Sequence, residues 1–209
     1  MFRPYFIIIA AFIISGFTNI SATPDQVIKA ANSGLQQYLR LIPAGSETQY
    51  GFSSRYEIQN ASVGKPLQAL ALNTDFYNKV YVPGINYLVV RNEWRVPVVF
   101  NNEYKTLLTV TGNQNNLTVV DLGGAGLSRE LQTVIAKESK DDNYYILRIY
   151  PLSADFFVDV NSGSNSMANA TYIPLSSAIT AIPSLQQKSS YTISELLPII
   201  KTSLTNQIK

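Results

Sequence analysis

The chain has 209 residues, 46% of them hydrophobic and only 14% charged, with no histidine, no cysteine and a formal net charge of +2. Without histidine there is no Ser-His-Asp triad and no His-based zinc site; without cysteine there is no thiol nucleophile, disulfide or zinc finger. A near-neutral chain also lacks the dense basic footprint that nucleic-acid binding requires.

Arg3 and the amino terminus precede an apolar run, Phe6 to Phe17, and a polar stretch that ends in the small residue Ala22. That order is the pattern of a secretory signal peptide. Residues 1–22 are therefore expected to be removed near Ala22, leaving 23–209 as one domain in the periplasm or outside the cell. The run is too short for a membrane span, which needs ~20 apolar residues, and no longer run follows. A cysteine-free exported chain rich in Asn, Ile, Tyr and Lys suggests a bacterial source.

Thr23-Pro24-Asp25-Gln26 has the form of a capping box with proline in the first turn. Val27, Ile28, Ala31, Leu35, Tyr38, Leu39 and Ile42 follow at helical spacing, with Gly34 weakening the middle and Pro43 ending the helix. From Tyr50 the pattern shifts toward strands. Short strands are expected at Leu67–Leu72, Ile85–Val90 and Leu117–Asp121. The clearest hairpin joins Trp94–Phe100 to Tyr104–Val110 through Asn101-Asn102, because Asn tolerates the left-handed backbone of a tight turn. Pro97 marks an edge or a bulge in the first of these strands. A helix is expected at about Leu127–Ser139, then strands at Tyr144–Tyr150, Phe156–Val160 and Tyr172–Leu175. Ser176–Ile182 reads as a brief helix. Thr192 with Glu195 caps a C-terminal amphipathic helix, with Pro198 as a kink. Helices and strands segregate, so the fold class is α+β: a mostly antiparallel meander with N-terminal, middle and C-terminal helices packed on it.

Few motifs point to chemistry. Asp121-Leu-Gly-Gly-Ala-Gly-Leu-Ser-Arg129 sits where a phosphate-cradling loop would, but Arg129 replaces the third glycine, so it reads as a strand-to-helix turn. Ser62-Val-Gly-Lys65 matches Ser-x-x-Lys, yet Gly64 and Pro66 oppose the helix that motif needs. Asp159, Asn161, Gly163 and Asn165 alternate like calcium-loop ligands without the required Gly and Glu. No metal site and no cofactor is expected. Paired carboxylates need no histidine, and Glu93, Glu103, Asp121, Asp155 and Asp159 border expected strands. Tyr and Trp combine rigid apolar area with a polar tip, which makes Trp94, Tyr104, Tyr144 and Tyr145 the candidate binding residues. In a strand, adjacent Tyr144 and Tyr145 point to opposite faces.

The long helix followed by the Trp94–Val110 hairpin resembles cystatin-like and PepSY-like modules over residues 23–121. Such families lay a helix across an antiparallel sheet, and some members inhibit or chaperone peptidases. The Gln-x-Val-x-Gly loop of cystatins is absent, so no inhibitory residue carries over. The leading expectation is a secreted, non-enzymatic binding protein with a protein, peptide or glycan partner. The alternatives are a His-free secreted hydrolase with paired carboxylates and a structural envelope or matrix protein.

Overall fold

The computed structural model describes residues 21–138, 143–160 and 166–207. The expected signal segment thus lies almost wholly outside the described residues. Ser21 and Ala22 are described: the Ser21 hydroxyl accepts from Gln68 Nε2 at 2.9 Å, and Ala22 is buried under the first helix.

Helix α1 (Pro24–Leu39) starts on the expected capping box, with Thr23 Oγ1 accepting from the Gln26 N–H and Gln26 Oε1 accepting from the Thr23 N–H. Val27, Ala31, Leu35 and Leu39 form its buried stripe. Gly34 has a packing role: a Cβ there would stand 2.5 Å from Val119 Cγ2, so the absent side chain lets the helix lie against the sheet. The segment after Tyr50 is helical, not extended. In α2 (Arg55–Gln59) the Ser54 hydroxyl accepts from the Glu57 N–H, and Glu57 accepts from the Ser53 N–H at 2.8 Å. These caps outweigh the strand propensity of its Tyr and Ile.

The strands are β1 (Ser62–Val63), β2 (Leu67–Leu72), β3 (Leu88–Phe100), β4 (Glu103–Thr111), β5 (Thr118–Gly123), β6 (Tyr144–Ile149), β7 (Ala154–Asp159) and β8 (Thr171–Pro174). Helices α3 (Thr74–Asn78), α4 (Ala125–Glu138), α5 (Ser176–Ala181) and α6 (Ile193–Gln207) complete the order. One eight-stranded sheet runs β5-β4-β3-β2-β6-β7-β8, with β1 paired to the far end of β3. Every pairing is antiparallel except β2 with β6 at the centre. The expected hairpin is β3–β4, turning on Asn101 (φ 49°) and Asn102 (φ 63°). Beside Pro97, the β3–β4 register shifts between Val98 and Val99. The two strands expected at Ile85–Val90 and Trp94–Phe100 are one continuous strand of 13 residues.

On one face, α1 covers Trp94, Val96, Val98, Leu108, Val110 and Val119. Beside it α6 covers β6–β8, with Leu196, Leu197 and Ile200 against Leu147, Phe156, Val158 and Tyr172. On the opposite face α4 places Leu131 over Leu67, Ala69, Leu107, Ile146 and Phe157. Adjacent Phe156 and Phe157 are both fully buried because helices cover both faces of β7.

α6 opens on the expected cap: the Glu195 carboxylate accepts from the Thr192 N–H at 3.0 Å and from Lys188 Nζ at 2.6 Å. The Lys188 ammonium and the Thr192 amide hold the Glu195 carboxyl down at about 2. A depressed carboxyl favours folding above its unfolded value of 4.5, and that contribution is lost as pH falls through about 2. Glu195→Gln is expected to lower the melting temperature slightly at neutral pH and to flatten acid unfolding between 4.5 and about 2. Thermal melts across that window check it.

Candidate functional site

The four aromatic residues singled out in the sequence do not converge. Trp94 is 3% exposed and fills the core beneath α1; Tyr144 is 7% exposed and packs in a different cluster, beneath α4. The Tyr144 ring lies 5.6 Å from that of Phe157, with Lys65 Nζ 4.8 Å over it. Tyr104 is half-buried, and its N–H donates to Gln132 Oε1 at 2.9 Å. Tyr145 is half-buried on the opposite face from Tyr144, against the α6 cluster.

The glycine-rich turn ends in α4, with Gly124 at φ +75°. The start of α4 borders a cavity of about 350 Å³ shared with Glu130, Asp155, Ser176 and Ser177. Carboxylates, not cations, face that helix start. Ser62 and Val63 pair with Val99 and Val98 in a strand, so Ser62 and Lys65 do not share a helical turn. Of the calcium-like positions, Asn161, Gly163 and Asn165 lie outside the described residues, and Asp159 is buried in β7 opposite Tyr144 and Thr171.

Of the carboxylates, Glu103 is paired with Lys105 Nζ at 2.7 Å and Asp121 is exposed on the outer strand β5. Glu93 and Asp155 belong to one chain of contacts on the α4 face. Arg95 Nη2 lies 2.9 Å from Glu93 Oε1, and Arg95 also donates to Thr109 Oγ1. The Tyr150 hydroxyl donates to Glu93 Oε2 at 3.3 Å, and the Arg148 guanidinium sits 5.9 Å from the Tyr150 ring centre. Arg148 Nη1 then reaches both Asp155 oxygens, at 3.0 and 2.9 Å, and the Ser177 hydroxyl donates to Oδ2. Burial pushes the Asp155 carboxyl up, against the pull of Arg148. Burial also raises the Tyr150 hydroxyl, and Glu93 adds to it. Glu130 accepts from the Ser176 N–H and hydroxyl at 2.7 and 2.8 Å, holding the start of α5.

The same end of the sheet contains a gap. β4 stops at Thr111, opposite Glu93, while β3 extends back to Leu88. Beyond Glu93 the Gly112 N–H still reaches the Asn92 carbonyl at 3.1 Å. On that side, Leu88–Arg91 pair with no strand among the described residues. The register tells which groups face the gap. Asn73 donates to the Tyr87 carbonyl and Gln68 Nε2 to the Arg91 carbonyl, so Tyr87, Val89 and Arg91 point their backbone toward β2. Alternation turns Leu88 and Val90 outward. The Leu88 N–H donates to Asn86 Oδ1; the Leu88 carbonyl and both Val90 groups face the gap. A cavity of about 350 Å³, lined by Val90, Arg91, Asn92, Glu93 and Thr111, occupies the place where β4 would continue.

No family model matches the chain, and neither curated proteins nor solved structures show a match to it. The expected resemblance to cystatin-like and PepSY-like modules finds no support in these comparisons.

Both outer edges of the sheet carry contacts that occupy part of their backbone, one way in which exposed edges are protected. On β5 the Val119 carbonyl is taken by the Tyr38 hydroxyl at 2.8 Å. On β8 the Tyr172 N–H and carbonyl both bond to Tyr191. The β3 gap is different: Val90 is 55% exposed, and Val80, Val82, Ile85 and Val89 are exposed near it in sequence. Arg91, Arg148, Tyr150 and this gap are the features that sequence reading missed.

Proposed function

We propose that the chain is an exported binding protein that takes an extended peptide segment of another protein onto the open edge of β3. The carrying observation is the short stretch Leu88–Arg91, which on its β4 side pairs with no strand among the described residues and exposes Val90. Addition of a strand at such an edge supplies affinity through backbone hydrogen bonds. Export rests on Arg3, the Phe6–Phe17 run and Ala22, and no helix among the described residues is long and apolar enough to cross a membrane.

Val90→Pro tests the reading. Proline removes the one outward N–H of the gap, and the Val90 N–H takes no part in the β2 ladder, so the fold is retained. The variant is expected to bind extended peptides at least about tenfold more weakly, the scale of one lost hydrogen bond plus a steric block. Unchanged affinity with unchanged circular dichroism overturns the reading.

A second reading, a hydrolase with paired carboxylates, has one observation in its favour: Glu130 and Asp155 line the same cavity. It requires turnover of glycan or ester substrates that is abolished by both Glu130→Gln and Asp155→Asn.

A further inference from the structure

The two faces of the β3 gap differ in chemistry, and that difference selects its occupant. Leu88 and Val90 stand opposite Leu72 and Leu70, which pack in the α6 cluster. Leu88 also lines a cavity of about 610 Å³ together with Tyr81, Tyr87, Met167 and Leu197. Leu70, Leu72, Leu88 and Val90 make this face apolar beside the edge, and Asn86, Ser166 and Ser194 add polar groups to the cavity lining. Alternation puts Val89, Arg91, Glu93 and Arg95 on the α4 face. There Glu93 is held by Arg95 and Tyr150, and Asp155 by Arg148. Glu130 shares a cavity with Asp155 and is taken up by Ser176, while Arg91, which is exposed, makes no salt bridge among the described residues.

A strand added along Leu88–Arg91 would present its side chains alternately to these two faces. We infer, building on the binding reading above, that the occupant alternates an apolar side chain on the α6 face with a carboxylate opposite Arg91 on the α4 face. Arg91, exposed and without a salt bridge among the described residues, is the charge it complements. A second copy of this chain fits less well. Two-fold pairing centred on Val90 places both Arg91 side chains on one face, and like charges at neighbouring cross-strand positions repel.

Three blocked peptides separate the outcomes, titrated against the full protein by calorimetry while the Val90 amide is followed by hydrogen exchange. Thr-Leu-Glu-Val-Thr presents Glu on the face opposite Leu and Val. Thr-Leu-Lys-Val-Thr reverses the charge. Thr-Leu-Val-Glu-Thr puts Glu and Leu on the same face, so a register with Glu opposite Arg91 leaves one apolar contact on the α6 face and sets Leu on the charged α4 face. The first peptide is expected to bind at least about tenfold more tightly than either other, the scale of one cross-strand charge pair plus one misplaced apolar side chain. Arg91→Glu is expected to invert the preference between Glu and Lys. Equal binding of all three, with Val90 protected, overturns the alternation and leaves the edge reading standing. No binding by any of them overturns both. A dimer that protects Val90 without peptide replaces the peptide by a second copy and overturns the inference.

Discussion

Replacing Arg148 with methionine is expected to destabilise the protein by about 3–5 kcal/mol, the range for removing one partner of a buried ion pair. Arg148 and Asp155 face each other directly across β6 and β7, and the Asp155 side chain is only 6% exposed. Methionine preserves most of the packing of the arginine stem but leaves the carboxylate with the Ser177 hydroxyl, the weaker pull of the Arg95 charge and no salt bridge. The loss depends on pH. The folded-state pKa of Asp155 is raised by burial, so its protonated form favours folding. That contribution is present below the unfolded value of 3.8 and is lost as pH rises through the raised one. Without Arg148 the carboxyl rises further, and the deficit of the variant is largest at neutral pH. Urea unfolding at neutral pH and below pH 3.8 checks this: the two proteins converge in acid. A constant difference across pH would mean that the guanidinium acts only through packing.

Phe156→Ala is expected to cost about 3–5 kcal/mol, as aromatic-to-alanine truncations in a closed core do. Phe156 is fully buried in the α6 cluster, between Leu147 on β6 and Pro174 on β8. Its strand is covered on both faces and fixed in the middle of a three-strand block, so the cavity has little means to collapse. Val90→Ala is the matched control. At 55% exposure Val90 contributes little to folding, and its truncation is expected to shift stability by less than about 0.5 kcal/mol. Urea midpoints of the two variants, at equal slope, make the comparison. A large loss at Val90 would mean that its side chain belongs to the core and is not available to a partner.

Local signals carried most of the elements. Thr23 and Gln26 announced α1, Asn101-Asn102 announced the hairpin, and Thr192 with Glu195 announced α6, because caps and turns are decided within a few residues. Register was not legible. Nothing between Val90 and Trp94 breaks a strand, yet the alternation on either side read as two strands; β2 bonded along one side and β4 along the other make it one. The parallel β2–β6 pair depends on a crossover through three strands, α3 and α4, which no local pattern encodes. The candidate site suffered from the same blindness. Asp155 was visible as a carboxylate at a strand start, but its partner Arg148 follows only from the β6–β7 register. Trp94 and Tyr144 carry the composition of a recognition surface, and helix packing buries both. The gap beside Val90 arises from a difference in length between two strands, which becomes visible only once they are aligned.

Residue-resolved amide exchange at Val89 and Val90, with and without Thr-Leu-Glu-Val-Thr, tests the open edge most directly. In the free protein Val89 is predicted to exchange slowly, because its backbone faces β2, while Val90 exchanges fast. Saturating peptide is predicted to slow Val90 and leave Val89 unchanged. Slow exchange at Val90 in the free monomer, or fast exchange at Val90 with peptide bound, would contradict the assignment of this edge as the binding site.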